Sequence, residues 1–237
     1  MIQDELNKLY ASLKKPKVLV DDSILKELEG PDLIWASPAY ENANPRIAII
    51  GKEAFGWDYW YYNFVNDVKW SIEEAIEVTC KFNYGEKYIK SPFWQFFTEL
   101  REHFFGSNAE RSIVGWLNLI KFTIYNNKGR RTGVLGTAIE EQALALQDGI
   151  FIQELKIMKP DICVFVTGPD YDRILRRYYP EISFNDTGLT SRILAKLSHT
   201  QLPSRSFRTY HPNYLRRSKK WKIVMPHLIN LIEKKLD

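Results

Sequence analysis

Four side chains in the sequence carry groups that often act together where bonds are broken: Glu53, Phe55, Asn118 and His211. A carboxylate can orient a water molecule, and an imidazole can donate a hydrogen bond to a developing negative charge. An amide presents an acceptor beside a donor, and an aromatic ring offers a flat surface for stacking. We expect these four groups to converge on a single pocket.

The elements that must position these groups are short apolar runs, which are typical of strands buried on both faces of a parallel sheet. The sequence predicts four such strands, over residues 46–51, 113–122, 161–168 and 206–211. The carboxyl ends of parallel strands point to one side of a sheet, and ligands bind outside those ends. Residues that follow these runs are therefore expected to share one site.

Amphipathic periodicity and capping residues predict helices between the strands. The predicted helices cover residues 2–14, 22–29, 71–80, 92–105, 137–158, 170–179 and 220–236. Strands that alternate with helices predict an α/β fold with a central, mostly parallel four-stranded sheet flanked by helices. We expect a single domain over residues 1–237, in which residues 1–45 form an N-terminal helical extension packed on the rest.

The composition is that of a globular protein with a sizeable core: 237 residues, 45% hydrophobic and 26% charged. It excludes a disordered chain, a collagen-like repeat and a disulfide scaffold. No apolar run is long enough for a transmembrane helix. The N-terminus carries Asp4 and Glu5 where a signal peptide would carry basic residues, so we expect a cytoplasmic protein.

The cysteines and histidines indicate no metal site. Cys80 and Cys163 are far apart, which excludes a cysteine-ligated zinc and a four-cysteine iron–sulfur cluster. Cys163 lies in an apolar run and is predicted to be a buried thiol. His103, His199 and His227 lack the spacing of metal ligands, and phosphate-loop, metalloprotease and nucleophile-elbow motifs are absent. We expect neither a metal nor an organic cofactor.

Positive charge is concentrated near the end of the chain. Residues 1–186 hold 22 Lys and Arg against 27 Asp and Glu, whereas residues 187–232 hold nine Lys and Arg and no acid. An acid-free stretch in an otherwise acidic chain indicates a surface for a polyanion. A solvated basic face without a partner is the alternative.

In order and context, these motifs resemble those of the uracil-DNA glycosylase superfamily. The segment Gly51-Lys52-Glu53-Ala54-Phe55-Gly56 is similar to the water-activating motif of that superfamily, and Tyr210-His211-Pro212-Asn213-Tyr214-Leu215 is similar to its late His-Pro loop. Asn118, in Leu117-Asn118-Leu119-Ile120-Lys121, matches the asparagine that reads the base. The resemblance covers residues 46–217 and implies a three-layer uracil-DNA glycosylase-like fold.

The sequence also departs from the family pattern. Glu53 stands where one type of first motif has Asp, Ala54 where Pro is usual and Gly56 where His can stand. The extra methylene of Glu53 moves the carboxylate oxygens by about one carbon–carbon bond, a displacement that matters for positioning water. The late loop is most similar to the iron–sulfur branch, but two cysteines cannot hold its cluster.

The resemblance implies a role for each candidate residue. Glu53 would place the attacking water and His211 would stabilise the departing base, while Asn118 would read the pairing edge of the base. Phe55 would stack on the base, and Gly51 would lie beside it. The structural alternatives are that Asn118 satisfies backbone groups at a strand end and that Glu53 is a surface or helix-terminal charge.

The residues after His211 are the candidates for contact with DNA. Tyr214 and Leu215 stand where the superfamily inserts a wedge into the base stack. The cations that follow are suited to phosphate contacts, namely Arg216, Arg217, Lys219 and Lys220.

The resulting hypothesis is a monomeric hydrolase that removes uracil, or a related damaged base, from DNA without a cofactor. Two alternatives remain open. One is a catalytically weakened relative that only binds nucleic acid. The other is a hydrolase that acts on a small nucleotide or nucleoside in the same pocket.

Overall fold

A computed structural model describes residues 1–16, 18–53, 56–57, 59–67, 70–125 and 131–234. The helices are α1 (Ile2–Lys14), α2 (Asp22–Glu27), α3 (Pro38–Glu41), α4 (Tyr61–Asn66), α5 (Ile72–Phe82), α6 (Pro92–Phe105), α7 (Glu140–Leu146), α8 (Ile150–Met158), α9 (Asp172–Tyr178), α10 (Pro212–Arg217) and α11 (Trp221–Glu233). The strands are β1 (Leu28–Glu29), β2 (Ile47–Glu53), β3 (Gly115–Ile120), β4 (Thr123–Tyr125), β5 (Arg131–Gly133), β6 (Ile162–Phe165), β7 (Ser183–Asp186), β8 (Leu194–Ser198) and β9 (Arg205–Thr209). Short 3-10 turns cover Asn83–Tyr88, Arg111–Ile113 and Pro169–Tyr171.

The main sheet of the described chain has six strands in the order β3-β2-β6-β9-β8-β7. Parallel pairs join β2 to β6 and β6 to β9, with Ile47 opposite Ile162 and Ile162 opposite Arg205. The four predicted strands are the four neighbours β3, β2, β6 and β9, so the predicted α/β fold with a central, mostly parallel sheet and helices is confirmed. In β6 every side chain is fully buried, including the predicted core thiol Cys163.

Two strands of the sheet were not predicted. β8 pairs antiparallel with β9, and β7 pairs antiparallel with β8 at the edge of the sheet. The side chains of β7 are mostly exposed and polar, so this strand lacks the apolar run on which the prediction depended. The sheet therefore has six strands rather than four.

The helix predictions hold best where capping and periodicity agree. α6 covers Pro92–Phe105 as predicted, because the Ser91 hydroxyl caps it and Pro92 occupies its first turn. The predicted long helix over 137–158 is wrong, since α7 and α8 are separate. Gly149 lies between them with φ +75°, a left-handed conformation that ends a helix and that a glycine adopts at little cost.

The described chain groups into two compact units, each made of three segments. The first unit contains Met1–Ala36, Glu53–Phe82 and Asn118–Met158, and the second contains Ser37–Lys52, Asn83–Leu117 and Lys159–Asp237. A single domain over residues 1–237 stays a prediction.

In the first unit α1 packs against α8, α5 and α4. The buried stripe of α1 consists of Ile2, Leu6, Tyr10 and Leu13.

A buried ion pair lies at the centre of the first unit. Lys121 Nζ lies 2.6 Å from Glu154 Oε2, and both side chains are fully buried. The Tyr10 hydroxyl donates to Glu154 Oε1 at 2.8 Å and accepts from the Ile34 amide at 3.0 Å. Burial raises the pKa of Glu154, while Lys121 opposes that rise. Removing one charge of this pair would leave the other without compensation.

We therefore predict that Lys121→Met lowers the free energy of unfolding by about 3–5 kcal/mol at pH 8. Without Lys121, the pKa of Glu154 rises further, so the folded state takes up a proton that the unfolded state releases. The deficit should accordingly shrink as the pH falls towards 5. Denaturant titrations followed by circular dichroism at both pH values measure it. Lys8→Met, which removes an exposed lysine of α1, is the control, and an equal deficit at both pH values would contradict the prediction.

Candidate active site

A cavity of about 340 Å³ opens in the second unit. Its walls come from α10 and from the segments at the carboxyl ends of β2, β6 and β9, the edge at which a parallel sheet binds its ligands. The lining residues are mostly polar or aromatic: Lys52, Gly168, Asp170, Arg192, Tyr210, His211, Asn213, Tyr214 and Arg217. Three predicted site residues, His211, Tyr214 and Arg217, are thus brought together in one cavity.

His211 is held in one tautomer by its place at the N-terminus of α10. Its Nδ1 accepts a hydrogen bond from the backbone amide of Asn213 at 3.2 Å. Because Nδ1 serves as the acceptor, the proton of the neutral ring belongs on Nε2. The cavity is therefore lined by an imidazole whose free polar group is an N–H donor.

The surroundings of His211 keep it neutral. Burial, and then the positive charge of Lys52, lower the pKa of His211 to about 4. The Phe93 ring, in the first turn of α6, stacks on the imidazole with centroids 5.9 Å apart and planes inclined by 26°. At pH 7 the ring is a neutral hydrogen-bond donor within a positively charged wall.

Positive charge dominates that wall, with Lys52, Arg192 and Arg217 facing one acid, Asp170. The Lys52 ammonium also lies over the Tyr171 ring, 5.2 Å from its centroid. The lining also contains an aromatic pair, Tyr210 and Tyr214. Their rings stack with centroids 4.2 Å apart and planes inclined by 27°. The cavity thus combines cations with a flat apolar surface.

Glu53 belongs to the first unit. Its carboxylate accepts a hydrogen bond from the backbone amide of Val134 and another, at 3.3 Å, from the backbone amide of Leu135. A Cβ atom at residue 133 would lie 2.7 Å from Glu53 Oε1, so glycine is required there for the carboxylate to approach. These amides orient the carboxylate. Its role in placing water stays a prediction.

Asn118 also belongs to the first unit, and its amide is held by a buried carboxylate. Asn118 Nδ2 donates to Asp32 Oδ2 at 2.8 Å, and both side chains are 3% exposed. Burial raises the pKa of Asp32, while the charge of Lys121 and the hydrogen bond from Asn118 oppose that rise. An ionised carboxylate only accepts hydrogen bonds, so it fixes which end of the amide faces it. Asn118 retains its Oδ1 acceptor and a second N–H donor.

The other predicted residues differ in exposure. Gly51 is buried within β2, and Phe55 lies outside the described residues. Leu215 is fully buried, whereas Tyr214 is 39% exposed, so only Tyr214 of the two has a side chain at the surface. Arg216, Arg217 and Lys219 are exposed and Lys220 is half-buried. That Glu53, Asn118 and His211 converge on one pocket stays a prediction.

Several lining residues were not predicted as site residues. Lys52 lies within the first motif, Tyr210 and Asn213 lie within the late loop, and Arg192 lies within the acid-free stretch, so each had a signal in the sequence.

Two residues that contact predicted site residues were also missed. No sequence signal pointed to Asp32, because its partner Asn118 is 86 residues away along the chain. Phe93 had only its position after the Ser91 cap of α6.

Within the described residues, no cluster of three or more His, Cys, Asp or Glu side chains is placed to hold a metal ion. No helix among them is both long and apolar enough to cross a membrane.

Comparison with known proteins finds similarity among solved structures. No protein-family model matches the sequence, and no curated protein matches it. Among solved structures, the chain is similar to wild-type SMUG2 of Pedobacter heparinus, with a TM-score of 0.45 and 12% sequence identity over 96% of this chain and 95% of that chain.

The protonation of His211 can be measured directly. We predict that its ring protons titrate near pH 4 in NMR spectra, because protonation would add a positive charge to a half-buried group that already lies in the field of Lys52. Lys52→Met should raise this pKa only in part, since burial is the larger cause. Lys222→Met, which removes an exposed lysine of α11, should leave it unchanged. A midpoint near the ordinary value of about 6.5 would contradict the assignment.

Proposed function

We propose that this chain is a uracil-DNA glycosylase-like hydrolase, which removes uracil or a related damaged base from DNA by hydrolysing the N-glycosidic bond. The observation that carries the proposal is the state of His211. It is a neutral imidazole with an Nε2–H donor, and it lies in a cavity lined by cations and stacked tyrosines. Such a site favours a flat ligand on which negative charge develops.

The reaction places opposite charges on the two fragments. As the bond between C1′ of the sugar and the base nitrogen breaks, its electron pair leaves with the base, and the sugar becomes cationic. The Nε2–H of His211 would donate to the base oxygen that gains negative charge. With a pKa of about 4, the ring is neutral at pH 7, so it acts by hydrogen bonding rather than as an imidazolium acid. The positive charge of Lys52, which acts on His211, lowers the energy of the same negative charge.

Water completes the reaction at the sugar. Its oxygen forms the new bond to C1′, and its proton passes to Glu53 and from there to solvent or to the departed base. The backbone amides that bind Glu53 would hold the carboxylate still for this purpose. The same two bonds also occupy lone pairs of the carboxylate, which is the observation that favours the alternative of a binding protein with weakened catalysis.

The basic residues that follow His211 in the chain favour a polymer over a small substrate. Arg216, Arg217 and Lys219 are exposed, and none of them forms an ion pair with an acid of the described chain. Arg216 instead donates to Gln95 Oε1 at 3.3 Å. An exposed basic rim beside a cavity suits the phosphates of a strand. Tyr214, at the edge of this rim, is our candidate for the wedge that replaces an extruded nucleotide.

The Asp32–Asn118 bond favours uracil over cytosine. Uracil presents an N3–H donor and an O4 acceptor, which match the free Oδ1 and the second N–H of Asn118. Cytosine presents the reverse pattern, and reading it would require the amide to turn its oxygen towards the carboxylate of Asp32. That rotation would replace a buried hydrogen bond with a repulsive contact.

The activity is tested by incubating the protein with single- and double-stranded uracil-containing oligonucleotides, followed by alkaline cleavage. We expect His211→Asn to slow single-turnover release by about 100- to 1,000-fold, because the shorter amide lacks the Nε2–H donor. Asparagine still caps a helix, so α10 should remain folded. His103→Asn, at an exposed residue that shares a hydrogen bond with Glu233, is the control. No abasic product from the native chain on either substrate would refute uracil removal.

Base selectivity is tested with Asp32→Asn. A neutral amide at residue 32 offers Asn118 a donor as well as an acceptor, so the orientation of Asn118 is no longer imposed. We expect the ratio of uracil to cytosine release to fall by about tenfold or more. In the native chain the ratio should also fall at acidic pH, as Asp32 takes up a proton, whereas the variant should show no such dependence. Asp4→Asn, on the exposed face of α1, is the control, and an unchanged ratio would overturn the role of Asp32.

A further inference from the structure

Two arginines at the cavity reach it from different elements and are not neutralised by nearby acids. Arg192 precedes β8 and Arg217 ends α10, and both line the cavity with exposed side chains. Neither forms an ion pair with an acid of the described chain. Among the cavity residues, Asp170 is the one acid. Paired guanidinium groups in this setting suit a planar or tetrahedral oxyanion.

The backbone that carries Arg192 is anchored firmly. The Arg192 carbonyl accepts from Arg208 Nη1 at 3.1 Å, and the neighbouring Ile193 carbonyl accepts from the Thr209 hydroxyl at 3.0 Å. Arg208 is itself 2% exposed and pairs with Asp172 at 2.8 Å. The turn before β8 is thus fastened to β9, the strand that leads into His211. Arg192 and His211 therefore have a fixed relation within one unit.

The size of the cavity allows more than an oxyanion. A volume of about 340 Å³ exceeds what a single phosphate group fills, and the stacked Tyr210 and Tyr214 provide a flat apolar wall beside the cations. A ligand that combines a phosphate with a flat ring matches both parts. Lys52, which is half-buried, also lines the cavity, and its positive charge acts on His211.

We propose that Arg192 and Arg217 form a phosphate subsite of this cavity, which binds the phosphate of the nucleotide whose base enters it. The inference rests on the proposed function for the identity of the ligand as a nucleotide. The phosphate comes from the strand itself or from a free mononucleotide, and the chemistry of the subsite is the same for both. Asp170 weakens the subsite, because its carboxylate repels the same phosphate.

The test compares a nucleoside with two ligands that carry phosphate. Binding of deoxyuridine, deoxyuridine 5′-monophosphate and a short single-stranded oligonucleotide without uracil is measured by tryptophan fluorescence, at several salt concentrations. Arg192→Gln should weaken binding of the phosphate-carrying ligand about tenfold and leave deoxyuridine unaffected. Asp170→Asn should strengthen binding of the same ligand. Arg177→Gln, at an exposed residue of α9 outside the cavity, should match the native chain.

The source of the phosphate follows from which ligand responds. If it belongs to a strand, Arg192→Gln lowers the slope of log affinity against log salt for the oligonucleotide by about 0.7. If it belongs to a free nucleotide, the monophosphate shows the tenfold effect and the oligonucleotide does not. Equal affinities of native chain, Arg192→Gln and Arg217→Gln for both ligands would overturn the subsite. These measurements need no turnover, so a chain that releases no base can still confirm the subsite, and an active chain can still refute it.

Discussion

Three buried parallel strands, β2, β6 and β9, are held side by side by their backbone hydrogen bonds, and the cavity depends on that pairing. The register that sets Ile47 opposite Ile162, and Ile162 opposite Arg205, brings the carboxyl ends of the three strands to one edge of the sheet. Lys52, Gly168 and His211 stand at those ends. A slip of one residue in β9 would turn its side chains to the other face of the sheet. The pairing of the main chains thus decides which residues can line the cavity.

Burial and neighbouring charges set the protonation state of His211 and the orientation of the Asn118 amide. In the cavity, cations surround a histidine that stays neutral because it is buried beside Lys52. In the first unit, the buried charges of Lys121 and Glu154 compensate each other, and the ionised form of Asp32 accepts from Asn118. Buried charge is costly unless it is paired. As a result, His211 presents an N–H donor in one tautomer, and the Asn118 amide has one orientation.

The antiparallel edge of the sheet also contributes to the cavity. β8 and β7 add no parallel strand end to the cavity, but the turn that leads into β8 carries Arg192. Arg208, on β9, binds that turn through the Arg192 carbonyl and pairs with Asp172. The same strand therefore leads to His211 at its end and holds the turn that carries Arg192 at its side.

The pattern of residues was sufficient for the features that depend on local chemistry. Continuous apolar runs identified β2 and β6, because a strand buried on both faces has no polar side. Ser91 with Pro92 marked the start of α6, because capping is a local interaction. The late loop and its basic residues were recognisable for the same reason. Only folding in three dimensions brings distant residues together: Asp32 accepts from Asn118, Phe93 stacks on His211, and Arg192 and Arg217 line one cavity. The burial of Leu215 and the lowered pKa of His211 belong with these, because burial and the field of Lys52 arise only when separate segments pack together.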